Sequence, residues 1–256
     1  MSLELREHIE FLWSSYREAH ASMMLSDLKV RDQEAASLQL NIWSISLTRC
    51  SVAFAFFKCL VTGASSGIGK ATCKILTGYG ASVVGIGRNE EALLSLKEEG
   101  GIQDFVIADI TKEGDCMRVV SCAVSSLGGL TTVVNAAGGL QGGAVGDVGL
   151  ENYNYNMKLN VQAPFEIMTH SIPHLRAAKD KNPSIVNVSS VNGKQSFASC
   201  ATYCMSKAAV DQLTRCASVD LAKDGIRVNS VNPGVIKTNL HKVSLNIRGK
   251  FSRSYA

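Results

Sequence analysis

A doubly wound α/β fold, a parallel sheet with helices on both faces, is what the sequence predicts. Three observations carry that expectation. From about residue 54 short apolar runs alternate with helical patterns. The apolar runs are nearly continuous, as strands buried on both faces require. The first run stops in a turn with three glycines, Gly63, Gly67 and Gly69, and a helical pattern follows. Right-handed crossovers between such strands leave a ligand crevice at their carboxyl ends.

Residues 1–53 read differently from the rest. Leu5, Ile9, Leu12 and Tyr16 fall on one helical face, which predicts a helix over about 3–23. This segment is expected to be a helical or poorly ordered extension ahead of a domain over 54–256. In that domain the stretch 54–63 is the first strand, and residues 68–79 are helical. Residues 81–87 are a short β-branched strand. The next helix has Asn89 as its cap, Glu90 and Glu91 in its first turn and Gly100 as its stop. Residues 103–110 are the third strand, and 112–127 a helix ended by Gly128 and Gly129. The fourth strand spans 130–138 and leads into a glycine-rich loop. A long helical pattern over about 151–179 contains Pro164 and Pro173, which should bend or interrupt it. Residues 184–190 are the fifth strand. A helix over 203–223 stops at Asp224 and Gly225, and 226–234 are the sixth strand.

Composition narrows the function. A 46% hydrophobic content fills a real core, and a net charge of +4 without a dense basic stripe argues against nucleic acid. Eight cysteines include no C-x-x-C pair and no zinc-like spacing, so no metal site is expected. Most read as small core residues in a reducing compartment, which implies the cytoplasm. Cys200 and Cys204 flank Tyr203, and lining a cleft or acting as a thiol nucleophile is an alternative for them. The N-terminus carries Glu4, Glu7 and Glu10 and does not resemble a secretory signal. The apolar run 50–57 is far short of the ~20 residues that span a bilayer.

A glycine turn between a first strand and a helix suits phosphate, because helix N-terminal N–H groups are unpaired and partly positive. Its T-G-x-x-x-G-x-G spacing differs from both the G-x-G-x-x-G fingerprint and the P-loop. At the end of the second strand an acid would hold a ribose 2′-OH, whereas an arginine accommodates a 2′-phosphate. The sequence has Gly87 and Arg88 there, which favours NADP(H) and leaves NAD(H) open.

Tyr203 and Lys207 lie one helical turn apart and face the same way. A free tyrosine has a pKa of about 10. A neighbouring ammonium is expected to lower it, making Tyr203 a proton carrier at neutral pH. Ser189 and Ser190 end the fifth strand, where a hydroxyl can bond a carbonyl gaining negative charge. Two serines there also serve as ordinary turn formers.

Taken together, "TGASSGIG" (62–69), Asp109 in "ADI", "NAAG" (135–138), Asn160 in "LNV", "VNVSS" (186–190), "YCMSK" (203–207) and "NPGVIKT" (232–238) resemble the short-chain dehydrogenase/reductase family. The resemblance covers about residues 56–240 and implies a Rossmann-type dinucleotide-binding oxidoreductase. It implies Tyr203 as catalytic acid/base, and Lys207 as the group that binds the nicotinamide ribose and lowers the tyrosine pKa. It implies Ser190 as the residue that orients substrate, and Asn160 as support for a water-linked proton relay to Lys207. Ser65, Ser66, Ile68 and the three glycines would hold the pyrophosphate and adjoining ribose, with Arg88 at the second ribose. Asp109 and Ile110 would border adenine, and Asn135, Ala136 and Gly138 would line the cofactor's path. Ile236 and Thr238 would meet the nicotinamide carboxamide and phosphate. The substrate would be a small-molecule carbonyl or alcohol, and the assembly a homodimer or homotetramer.

The match departs from the family in three places. About fifty residues precede the first strand. Ala136 lacks the side-chain amide that braces the central sheet in relatives. Residues 235–256, 22 in all, follow Gly234, where similar proteins continue with a substrate-covering loop, a helix and a seventh strand. The sixth strand is therefore expected to be an uncovered edge. That keeps an alternative open, a non-catalytic nucleotide-binding or truncated form acting as an assembly subunit.

Overall fold

The computed structural model describes residues 54, 56–236 and 238. The helix expected over 3–23 and the tail after 238 lie outside the described residues. Six parallel strands form one sheet in the order β3-β2-β1-β4-β5-β6. They are β1 Lys58–Thr62, β2 Ser82–Gly87, β3 Asp104–Ile107, β4 Thr132–Asn135, β5 Ser184–Val188 and β6 Arg227–Val231. The intervening helices are α1 Gly67–Gly78, α2 Glu90–Glu98, α3 Asp115–Leu127, α4 Leu150–Met157, α5 Ala163–Ala177 and α6 Ala201–Leu221.

Alternate residues of each strand point to opposite faces, and two separate apolar layers result. Cys59 and Val61 of β1 pack with Cys73 of α1 and Leu93 and Leu96 of α2. Leu60 of β1 joins Val119 and Val120 of α3, Ile167 and Leu175 of α5, and Leu221 of α6. The inner strands β1 and β4 are buried almost throughout. The outer strands β3 and β6 are only partly buried, a correction to the uniform burial expected.

Local chemistry explains the boundaries. The Asn89 side chain accepts from the Ala92 N–H at 2.9 Å, so α2 starts where its cap predicts. Gly128, at φ +64°, ends α3, and Gly225, at φ +70°, ends the turn after α6. The first strand is shorter than expected. Phe54–Phe57 form a turn closed by the Phe57 N–H on the Phe54 carbonyl at 2.9 Å. The rings of Phe54 and Phe57 stack at 4.9 Å, which favours the turn over extended backbone.

The long helix is also divided. A π-helical segment, Lys158–Gln162, separates α4 from α5, with the Ala163 N–H bonded to the Lys158 carbonyl. Pro164 has no N–H for the Asn160 carbonyl, and one wide turn accommodates that loss. Pro173 sits inside α5 without ending it.

β1 connects outward to β2 and β3, and the chain then returns to place β4 on the other side of β1. The sheet therefore splays open beyond the ends of β1 and β4, the position where such sheets bind ligands.

Candidate active site

Beyond the strand ends lies one cleft of about 330 Å³. The glycine turn forms its floor. Gly63, at φ +69°, lies so close to the loop after β4 that a Cβ would stand 2.9 Å from the Ala137 backbone. A Cβ on Gly69 would stand 2.3 Å from the Gly63 carbonyl oxygen, so α1 can start this close to β1 only with glycine there. Ser66 caps α1 with extended backbone, makes no side-chain cap bond, and no acid occupies the first turn. The N–H groups at this helix end are thus left for a ligand, and their partial positive charge fits a pyrophosphate.

Ser65, Ser66, Ile68, Arg88, Asp109, Ile110, Ala136, Gly138, Ile236 and Thr238 all line this cleft with the three glycines. At its β2 end, a Cβ on Gly87 would come within 3.1 Å of the Ser65 hydroxyl. The Asp109 carboxyl accepts from the Thr111 N–H at 3.1 Å and the Thr111 hydroxyl at 2.8 Å. Burial alone would raise this carboxyl, but those bonds and the charges of Arg88 and Lys112 hold it below its ordinary value. Asp109 stands in the loop after β3, which ends at Ile107 and not at residue 110.

Asn135 is not among the residues lining the cleft. Its side-chain amide donates to Asn187 Oδ1 at 2.9 Å, and Asn187 in turn donates to Thr214 Oγ1 at 3.0 Å. A buried amide therefore braces β4, β5 and α6 from position 135, beside the smaller Ala136.

Ser190, Tyr203 and Lys207 meet at the opposite end of the cleft. The end of β5 positions Ser190, and the first two turns of α6 carry Tyr203 and Lys207. Lys207 is buried, donates to the Val188 carbonyl at 2.9 Å, and has its ammonium 5.7 Å from the Tyr203 ring centroid. Burial lowers its pKa to about 8, against an upward push from Asp211.

The expected lowering of the Tyr203 pKa is not what the structure has. Burial pushes the phenol up, a hydrogen bond with Ser190 opposes that, and the Cys200 and Cys204 thiols add to the rise. In this cleft Tyr203 is a protonated phenol at neutral pH.

Asn160 occupies the π segment and does not line the cleft directly. Its Oδ1 accepts from the Gly139 N–H at 2.9 Å, and its amide donates to the Gly139 carbonyl at 2.9 Å and to Ser206 at 3.0 Å. The wide turn forced at Pro164 thus presents Asn160 to the loop after β4. Neither Cys200 nor Cys204 lines the cleft, and burial raises the Cys200 thiol, which disfavours a nucleophilic role.

Sequence reasoning missed three contributors. Tyr155 of α4 and Asn192 line the cleft, and Asp211 lies buried one turn beyond Lys207. Only Asp211 carried a signal, since its i+4 spacing from Lys207 puts both on one helix face.

The family model for short chain dehydrogenases matches residues 58–246. A 2,5-dichloro-2,5-cyclohexadiene-1,4-diol dehydrogenase of Sphingobium indicum is 34% identical over 183 residues, covering 70% of this chain and 72% of the relative. The crystal structure of a short-chain dehydrogenase/reductase of unknown function from Caenorhabditis elegans, with cofactor, superposes with a TM-score of 0.70 at 35% identity. That match covers 75% of this chain and 74% of the other. A 3-ketoacyl-(acyl-carrier-protein) reductase from Brucella melitensis, complexed with NADH, superposes with a TM-score of 0.70 at 29% identity, covering 75% of this chain and 81% of the other. Among the described residues no helix is long and apolar enough to cross a membrane.

Proposed function

The chain belongs to the short chain dehydrogenase family, and on that footing we propose that it is an NADPH-linked carbonyl reductase. In reverse it would act as a secondary alcohol dehydrogenase. The observation that supports this most is the convergence of Ser190, Tyr203 and Lys207 on the cleft that the glycine turn floors. Arg88 at the end of β2, with no acid at that strand end, supports NADP(H) over NAD(H).

A dinucleotide held along this cleft would supply the hydride to, or take it from, the substrate carbon. The Ser190 hydroxyl donates to the carbonyl oxygen as negative charge grows there. Tyr203 passes its phenolic proton to that oxygen, which completes a secondary alcohol and leaves a phenolate. The Lys207 ammonium stabilises that phenolate by charge and would hold the ribose hydroxyls of a bound dinucleotide. Asn160 holds the loop after β4 in place through Gly139, keeping the floor beside Lys207 fixed. In the oxidative direction Tyr203 must begin as phenolate. Its raised pKa therefore makes alcohol oxidation favour higher pH.

The reading extends to a cytoplasmic homodimer or homotetramer. Phe165 of α5 and Val219 of α6 are exposed, 53% and 76%, and an oligomer would cover such side chains. Fluorescence titration of NADPH and NADH with the purified chain, followed by a panel of carbonyl substrates, tests the assignment. Tyr203→Phe should retain NADPH binding and lose ~10²–10⁴ in kcat. Full turnover by that variant would remove Tyr203 from the mechanism.

A further inference from the structure

We propose that Asp211 is a positioning residue for this active site: its buried carboxylate is the counter-charge of Lys207 and, through Asn232, ties the Ser190 backbone to α6. This inference rests on the catalytic reading above and adds a residue to it.

Asp211 is 5% exposed and Lys207 4% exposed, and they lie one turn apart on the same helix. They do not touch. The Lys207 ammonium donates to the Val188 carbonyl, while both Asp211 oxygens accept from Asn232 Nδ2 at 3.0 Å. The same Nδ2 donates to the Ser190 carbonyl at 2.9 Å. Its two hydrogens are thus divided between the carboxylate and the strand end that carries the Ser190 hydroxyl. The turn after Ser190 is pressed onto the carboxylate as well. A Cβ on Gly193 would stand 2.5 Å from Asp211 Oδ2.

A single charge buried in the centre of a helix packed on a sheet is costly, and an opposite charge nearby offsets that cost. Asp211 supplies it from a distance, leaving the Lys207 donors for Val188 and for the cleft. On their own helix, Tyr203, Cys204 and Asp211 are the titratable groups within about one turn of Lys207. Across the cleft, α4 presents Tyr155. β5, the turn after it and the end of β6 present carbonyls, hydroxyls and the Asn232 amide, and the one charged side chain of that turn, Lys194, is exposed. Arg88 and Asp109 belong to the β2–β3 end of the cleft. Among the described residues, Asp211 is therefore the negative charge that holds Lys207 as ammonium against its burial. Without it, the ammonium is lost at lower pH, and the phenolate formed at Tyr203 loses its stabilising charge.

The test is Asp211→Asn, which keeps the shape and an acceptor for Asn232 but removes the charge. Asp211→Ser removes the charge with a smaller side chain, and either folded variant suffices. Two readouts are taken: the pH profile of NADPH-linked carbonyl reduction, and the midpoint of the Lys207 ¹³Cε NMR titration, assigned with Lys207→Arg. Both the alkaline limb and the midpoint should move down by about one pH unit, with activity recovering near pH 6. Asp211→Glu, which keeps the charge, should restore the limb. Asn232→Ala should lower kcat about tenfold without moving the KM for NADPH, and an unchanged kcat would remove the tie to Ser190. A folded charge-removal variant with both readouts at their wild-type positions overturns the counter-charge role. A wild-type protein that binds NADPH but reduces no carbonyl, while the Lys207 midpoint still falls in Asp211→Asn, overturns the catalytic reading and leaves the charge coupling intact.

Discussion

Arg88 shows how far one side chain can be read. Its position at the end of β2 follows from the strand pattern, and its cationic character from its identity. The surrounding chemistry comes from elsewhere in the chain, with Ser65 beside Gly87 and Asp109 within reach of its charge. Arg88→Ala should weaken NADPH binding about tenfold and leave NADH nearly unchanged, measured by paired fluorescence titrations, since one lost charged contact is worth roughly 1.4 kcal/mol. Equal losses for both cofactors would mean that Arg88 does not read the 2′-phosphate. Tyr203 and Lys207 were legible as a pair because i and i+4 share a helix face. The protonation of Tyr203 was not legible. A phenol titrates according to its burial and neighbours, and here those neighbours are Ser190 and the thiols of Cys200 and Cys204.

Glycines and prolines decide the elements. The approach of α1 to β1 requires that Gly69 have no side chain. Gly69→Ala would force a methyl against the Gly63 carbonyl, moving the helix end proposed to hold the pyrophosphate. NADPH affinity should fall more than tenfold, and the thermal midpoint should drop by roughly 5 °C, as overpacking against backbone costs ~1–3 kcal/mol. Titration and thermal unfolding of one sample check both, and a variant with wild-type affinity would show that the turn yields without loss. Asn89 and Gly128 mark their helix ends locally, and the sequence reading located both. The apolar run that begins at Phe54 has no periodicity to separate a turn from a strand, so its pattern alone points to strand. Pro164 announced an interruption, but whether the helix would kink, break or widen depended on what Asn160 could reach.

At the scale of the molecule, the described cysteines are free, and three of them lie in the two apolar layers. Burial raises Cys59, Cys73 and Cys116 from 9.0 to about 12. A folded pKa above the unfolded one means that the unfolded chain loses those protons first. The stability held below pH 9 is therefore lost as pH rises from 9 toward 12. Lys207, lowered to about 8 from 10.5, acts oppositely: its cost is full below pH 8 and fades as pH rises toward 10.5. Three thiols against one amine give a net alkaline loss. The thermal midpoint should fall by roughly 5–10 °C between pH 9 and 10.5. The fall should be shallower in Cys59→Ala/Cys116→Ala, judged by its slope with pH and not by its absolute midpoint. A slope unchanged in that variant would assign the loss to other groups.

The sequence by itself determined the parallel α/β architecture, the order of its elements, the glycine turn between β1 and α1, and the placing of Ser190, Tyr203 and Lys207 along one cleft. Each of these depends on local pattern: apolar runs between helical periods, glycines where backbone must approach backbone, and residues one turn apart. The edge position of β6 was expected from the sequence, but the tertiary structure alone decided that β3 is the opposite edge, that Asn135 braces the sheet instead of lining the cleft, and that Asn160 pins Gly139. It alone brought Asn232 and Asp211 under Ser190. These hydrogen bonds join residues 21 to 52 positions apart, and burial, which governs both hydrogen-bond pairing and protonation there, exists only once the strands have packed.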